Sequence, residues 1–168
     1  MPKGSEALTN ARREEIINAC ERLYETMSFK EVTIKEIGQA TTFTRTSIYN
    51  YFQTKEEIFL ALIEREFTRW NDALEAALAR AQEFSREALA ELFADTLSER
   101  MLMLKILSMN MFEIEAHSRL ECLVAFKRAF ARSFALVDAL LQKGQPVLDD
   151  NARQAFIYAF FPFMYGIY

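Results

Sequence analysis

The sequence predicts an all-α protein, with a small N-terminal three-helix head joined by a long helix to a C-terminal helical domain. Three observations carry that expectation. Apolar residues recur at spacings of three and four along the whole chain, and no stretch shows the alternation of a half-buried strand. Thr33-x-x-Glu36, Thr54-x-x-Glu57 and Ser118-x-x-Glu121 each precede an apolar-periodic run. In that pattern the hydroxyl bonds the backbone N–H three residues on and the carboxylate reaches back. Finally, neither Gly nor Pro interrupts the chain from Lys55 to about Ala81, enough for a helix of roughly 40 Å at about 1.5 Å per residue.

The head is built from short pieces. Residues 1 to 8, with Pro2, Lys3 and Gly4, read as a polar lead, and the first helix is expected from about Thr9 or Asn10 to Met27. Its inner stripe is Ile16, Cys20, Leu23/Tyr24 and Met27, and Phe29 and Val32 plug the core beyond its end. Thr33 caps a helix with Ile34, Ile37 and Ala40 on one side, Thr41-Thr42 breaks the pattern, and Thr44 caps a second short helix. Ile48 and Phe52, four apart, face inward from it. Two short helices across a tight turn, fastened to a third at Thr54, are what a helix-turn-helix needs. The expected division is 1–54 for this domain and 55–168 for the rest.

Ile58, Leu62, Phe67, Trp70, Leu74 and Leu78 mark the buried side of the long helix, a rigid connection between the two domains. Ser85 caps a helix carrying Leu89, Leu92/Phe93 and Leu97, and Ser98 to Leu107 reads as another with Met101, Leu104 and Leu107 inside. After a break near Glu115 to His117, Ser118 opens a helix with Leu123, Phe126, Phe130, Phe134, Val137 and Leu141. Lys143-Gly144 ends it, with Pro146 beyond. Asp149 or Asp150 caps the last helix, Ala152 to Tyr168, which is apolar nearly all round and is expected to be buried on several sides and kinked at Pro162. Its pattern is still running at Tyr168, so the C-terminal domain is expected to be incomplete.

The second short helix has a distinct chemistry. No acidic residue lies between Glu36 and Glu56, in a chain of net charge −4. The gap holds Arg45, Tyr49, Asn50, Tyr51, Gln53, Lys55 and a series of hydroxyls, which donate to phosphate oxygens or read base edges. Thr44-Arg-Thr-Ser-Ile-Tyr-Asn-Tyr-Phe-Gln-Thr-Lys-Glu-Glu-Ile-Phe59 resembles the recognition helix and the start of the fourth helix of the TetR family of transcriptional repressors. The aromatic run before a Thr-Lys-Glu cap is the specific part, and the likeness spans Thr33 to Phe59. That family usually has Gly where this chain has Thr42 and Thr46. A Thr with positive φ costs on the order of a kcal/mol, so the turn is expected to be shaped differently here.

The resemblance implies a homodimer on a palindromic double-stranded operator, with Arg45, Thr46 and Tyr49 on the groove side and Asn50 flanking. Thr33, Thr44, Ser47, Tyr51 and Lys55 would then hold phosphates. It also implies a cavity for a small-molecule effector in the C-terminal domain and a dimer interface in the last two helices. From the residues alone, Met101, Met103, Met109 and Met111 with Phe112 either line an adaptable apolar pocket or, as methionines at helical spacing more often do, belong to the core. Trp70, Phe126, Phe130 and Tyr158 would share the pocket, with Glu113 as a polar handle. The dimer face is expected at Phe134, Phe156, Phe160 and Phe163.

Other classes find little support. At 51% hydrophobic and 13% aromatic the chain is not disordered. Residues 1 to 56 carry eight Lys/Arg and eight Glu, so attraction to nucleic acid would rest on segregated charge and not on excess. One histidine (His117), no Gly-rich phosphate loop, no metal-ligand spacing and no paired cysteines argue against an enzyme, a metal site or a cofactor. Cys20 and Cys122, with no signal-peptide pattern, read as free thiols of a cytosolic protein away from the membrane. Two readings stand: a ligand-released DNA-binding repressor, and a helical ligand-binding or scaffold dimer without specific DNA binding.

Overall fold

A computed structural model describes residues 3–80, 84–109 and 111–168, with side chains from Glu6 onward. Every regular element among the described residues is a helix: α1 (Lys3–Thr26), α2 (Ile34–Gln39), α3 (Arg45–Ile48), α4 (Lys55–Arg80), α5 (Arg86–Ser98), α6 (Met101–Leu107), α7 (Met111–Ala116), α8 (Leu120–Gly144) and α9 (Asp150–Met164). They form two compact units, residues 1–62 with 112–123, and residues 63–111 with 124–168. The break therefore falls inside α4 after Leu62, not at the 54/55 boundary expected from sequence, and α7 with the first turn of α8 groups with the head.

Several elements differ at their ends from the sequence pattern. α1 starts at Lys3 and takes in most of the expected polar lead, whereas Pro2 lies outside the described residues. Ser98 closes α5 instead of opening the next helix, and α6 starts at Met101 behind Arg100 with no side-chain cap. α8 starts one residue later than a Ser118 cap implies, at Leu120, with the Arg119 carbonyl accepting from the Leu123 N–H, and the Ser118 hydroxyl donates back to the Ile114 carbonyl at 2.8 Å. α9 ends at Met164, two residues past Pro162, and Tyr165 to Tyr168 lie beyond it. Ala81, the expected end of the long helix, lies outside the described residues.

In the first unit Ile16, Ala19, Cys20, Val32, Ile37, Ile48, Phe52, Ile58, Phe59 and Leu62 are fully buried. The Phe59 ring takes Tyr24 and Phe29 edge-on at 5.0 and 4.8 Å between centroids, a geometry that adds about 0.5–1.5 kcal/mol per pair to the area term. Because α2 and α3 have six and four residues, far below the length at which a helix holds alone, this shared core sets their positions.

The second unit is an aromatic core. Phe67 on α4 meets Trp70, Phe126 and Phe130, and Phe161 on α9 stacks on Phe134 with centroids 3.9 Å apart. Polar ties orient the helices: Trp70 Nε1 donates to Thr96 Oγ1 at 3.1 Å and Lys143 Nζ to the Leu78 carbonyl, in the last turn of α4, at 2.9 Å. Arg153, nearly buried, bonds Asp138, Asp150 and the Leu148 carbonyl and so closes the α8–α9 connection. Asp149 accepts from the Ala152 N–H at 2.7 Å, the expected cap. α9 is less enclosed than its composition suggested. Only Arg153, Ile157, Phe161 and Met164 are buried, while Tyr158 and Phe163 are about 71% and 66% exposed.

Candidate nucleic-acid interface

α3 is held at both ends and from beneath. Thr44 is its N-cap, in extended backbone, with the side chain accepting from the Ser47 N–H. Ile48 and Phe52 anchor the other side, both fully buried, and the Tyr51 and Phe52 N–H groups donate back to the Ile48 carbonyl at 2.9 and 3.0 Å. With those anchors down, Thr44, Arg45, Thr46, Tyr49 and Asn50 stand exposed, and Ser47 and Tyr51 are half-buried. Arg45 Nη2 reaches Tyr49 Oη at 3.5 Å, one helical turn on. Thr33 caps α2 and its hydroxyl bonds the Glu36 carboxylate.

The turn between α2 and α3 has no positive φ, and none occurs at any described residue. Thr42 is used instead as a donor. Its N–H and its hydroxyl both bond Glu15 Oε1 of α1 at 2.8 Å. These two bonds hold the Glu15 carboxyl below its ordinary value of 4.5. A carboxyl depressed in the fold stabilises it above the unfolded-state value and ceases to do so as pH falls through the folded one. Acidification below about pH 4.5 should therefore loosen the turn. A Glu15→Gln protein should show a flatter dependence of its thermal midpoint between pH 3 and 6 than the parent, read by circular dichroism at about half-unit steps.

Beside the turn, Leu8, Arg12 and Glu15 of α1 with Thr42, Phe43, Thr44, Ser47, Asn50 and Tyr51 line a cleft of about 520 Å³. The Arg12 guanidinium lies over Phe43, 5.8 Å from its centroid, and donates to Tyr51 Oη at 3.3 Å. Arg12 and Phe43 thus join the exposed face, a pairing invisible in sequence because α1 and the turn lie some thirty residues apart. The Lys55 ammonium is bound to the Phe29 carbonyl at 2.7 Å and sits over the Phe29 ring at 4.1 Å, which leaves its remaining N–H groups for a phosphate. The remaining donors (guanidinium, hydroxyl, phenol and amide) suit phosphate oxygens and base edges.

The link after α3 is clamped. Glu57, 1% exposed, accepts from Arg119 Nε at 2.6 Å and the Arg119 N–H at 3.1 Å on one oxygen. Its other oxygen accepts from Arg119 Nη2 and the Gln53 N–H, both at 2.8 Å. Burial pushes the Glu57 carboxyl up, but the guanidinium and the two N–H groups outweigh it and leave it below the ordinary range. The same bonds to Glu57 hold the Arg119 guanidinium above its ordinary value. Arg119 Nη2 and Arg13 Nη1 both donate to the Tyr51 carbonyl at 3.3 Å. Sequence reading missed this site because it took Glu57 as a plain capping-box residue and Ser118 as the cap beside Arg119. Cys122 nearby is half-buried, and burial pushes its thiol up.

Among the described residues, those expected to line an effector pocket lie in different surroundings. Trp70, Phe126 and Phe130 fill the core of the second unit. Met109 is half-buried, Tyr158 is exposed, and Phe112 (80% exposed) and Glu113 fall in the first unit. Met101 instead joins Phe93, Leu97, Leu104, Phe156, Phe160, Phe163 and Ile167 around an open apolar groove of about 510 Å³. A second groove of about 360 Å³ adjoins it at Phe93 and Phe156 and includes Arg86, Leu141, Gln145 and Val147. Of the residues expected at a dimer face, Phe156, Phe160 and Phe163 line the larger groove, while Phe134 is stacked under Phe161. Among the described residues no helix is long and apolar enough to cross a membrane, and no cluster of three metal-ligating side chains occurs.

Comparison with known proteins agrees with this architecture. Residues 16–62 match the family described as bacterial regulatory proteins, tetR family, and residues 64–168 match the tetracyclin repressor-like C-terminal domain. An HTH-type transcriptional repressor of Mycobacterium tuberculosis is 31% identical over 98 residues, 58% of this chain and 47% of that protein. The chain thus spans about half the length of that curated relative. A solved structure, the fatty acid degradation regulator FadR from Bacillus halodurans, superposes with a TM-score of 0.58 at 16% identity. It covers 92% of this chain and 80% of its own, a likeness of fold. With both the head and the C-terminal region matched, the chain belongs to the TetR family of bacterial transcriptional regulators.

Proposed function

We propose that the protein is a DNA-binding transcriptional repressor of the cytoplasm. It binds a palindromic operator as a homodimer and is released by a small hydrophobic ligand. The observation that carries this reading is the face of α3, where exposed Arg45, Thr46, Tyr49 and Asn50 sit opposite fully buried Ile48 and Phe52. Such a helix presents donors of the kinds that pair with base edges in the major groove. Two copies related by a two-fold axis would occupy successive grooves, hence the palindrome. The exposed aromatic face of α9 supports self-association, and the apolar lining of the grooves around Phe93 supports a hydrophobic effector. Release follows if the effector favours a head spacing that no longer fits two half-sites.

One observation favours a second reading, a ligand-binding or scaffold dimer without specific DNA binding. The balance of eight basic and eight acidic residues over 1 to 56 gives no net attraction to phosphate. Selection from a randomised duplex library at moderate salt separates the two. Enrichment of a palindrome is the expected result. Weak, salt-sensitive retention with no enriched motif would overturn the repressor reading and leave the scaffold.

A further inference from the structure

We infer that Arg119, at the start of α8 and far in sequence from the helix-turn-helix, is a positioning residue for DNA reading, a role that rests on the repressor reading above. The argument begins with the shortness of α3. Four helical residues cannot hold their own orientation, and the last carbonyls of such a helix have no partner within it. Its amino end is fixed by Thr44 and its underside by Ile48 and Phe52. The link that leaves its carboxyl end is fixed from outside, because the carbonyl of Tyr51, three residues past Ile48, takes one N–H from Arg119 and one from Arg13.

Arg119 has a second hold on the same segment. Its guanidinium grips both oxygens of buried Glu57, and Glu57 in turn holds the Gln53 N–H. The neighbouring Thr54 hydroxyl donates to the His117 carbonyl at 2.9 Å. Within the link from α3 to α4, Tyr51 and Thr54 are therefore held directly by Arg119 and His117, and Gln53 is held through Glu57. A bidentate guanidinium–carboxylate pair fixes direction as well as distance, and a lysine in its place keeps the charge but loses the fork. Arg119 need not touch DNA to matter. It sets the angle at which Arg45 and Tyr49 are presented. α8 continues without interruption from Arg119's neighbour Leu120 into residues of the second unit, so the clamp stands at the end of a helix that both units share.

The test uses Arg119→Lys in the full chain beside the parent protein, with two readouts. Amide hydrogen exchange at Ser47 to Gln53 should quicken at least about tenfold in the variant, while exchange in the second unit stays as in the parent. Affinity for the selected palindrome should fall about tenfold or more, with binding to an unrelated duplex of equal length unchanged. Equal exchange over residues 47–53 in both proteins overturns the inference whether or not an operator exists. So does an equal loss on both duplexes, which would mark Arg119 as a simple phosphate contact. Glu57→Gln, which keeps shape and removes the charge, should reproduce the lysine variant; if it binds the palindrome like the parent, the clamp is not what positions α3. Absence of any selected palindrome for the parent would be a failure of the repressor reading, not of the clamp, which the exchange measurement judges alone.

Discussion

Replacing Arg45 and Tyr49 together by alanine should abolish operator-specific binding, with a loss of about 100-fold or more, and leave the fold intact. Each well-formed side-chain contact to a base edge is worth about 1–3 kcal/mol of discrimination, so losing two reaches that size. The fold should survive because neither side chain is part of the core. Tyr49 is 44% exposed and Arg45 is fully on the surface, their mutual contact being a single long bond of 3.5 Å. Surface substitutions of this kind stay within about 0.5 kcal/mol. Fluorescence anisotropy on the selected duplex, with circular dichroism melts of the same preparations, reads both quantities. Retained specific binding with an unchanged melt would mean that another surface reads the DNA, and the cleft of Arg12, Phe43 and Tyr51 would be the first place to look.

How much of this was legible before the structure depends on the range of each signal. The caps at Thr33, Thr44, Ser85 and Asp149 were readable because they join residues three apart, and all four accept the backbone N–H that the pattern requires. Ile48 and Phe52 were readable as the buried side of α3 for the same reason. One miss was local: Ser118-x-x-Glu121 has the spacing of a cap, but α8 starts at Leu120 and the Ser118 hydroxyl donates to the Ile114 carbonyl. The others were non-local. The bond of Lys55 to Phe29, 26 residues away, lies beyond any local pattern. Glu15 and Thr42 are 27 residues apart, and no periodicity links them. Glu57 and Arg119, 62 apart, could not be joined by any spacing rule. The sequence pattern therefore reads the reading helix but not the groups that hold its turn and its far end.

The aromatic residues of the second unit lead to the other large prediction. Trp70, Phe126 and Phe130, expected to flank a pocket, meet one another through Phe67 and Phe161 in an aromatic cluster. Trp70 is fully buried and its indole N–H is committed to Thr96. Trp70→Ala should therefore cost about 3–5 kcal/mol, a fall in thermal midpoint on the order of 10 °C for a domain of this size. Phe163→Ser should leave the midpoint within about a degree or two, since a 66% exposed ring at the rim of the groove contributes little to folding. Its effect should appear instead in self-association or in the response to a hydrophobic effector, measured by sedimentation and by ligand-induced release from the operator. If Trp70→Ala melts like the parent and changes effector response, the aromatic cluster encloses a usable cavity and is not simply core. The two variants thus place the apolar chemistry of the second unit either inside its core or on the open face of α9, and only the second location leaves Trp70 with no part in effector binding beyond keeping the unit folded.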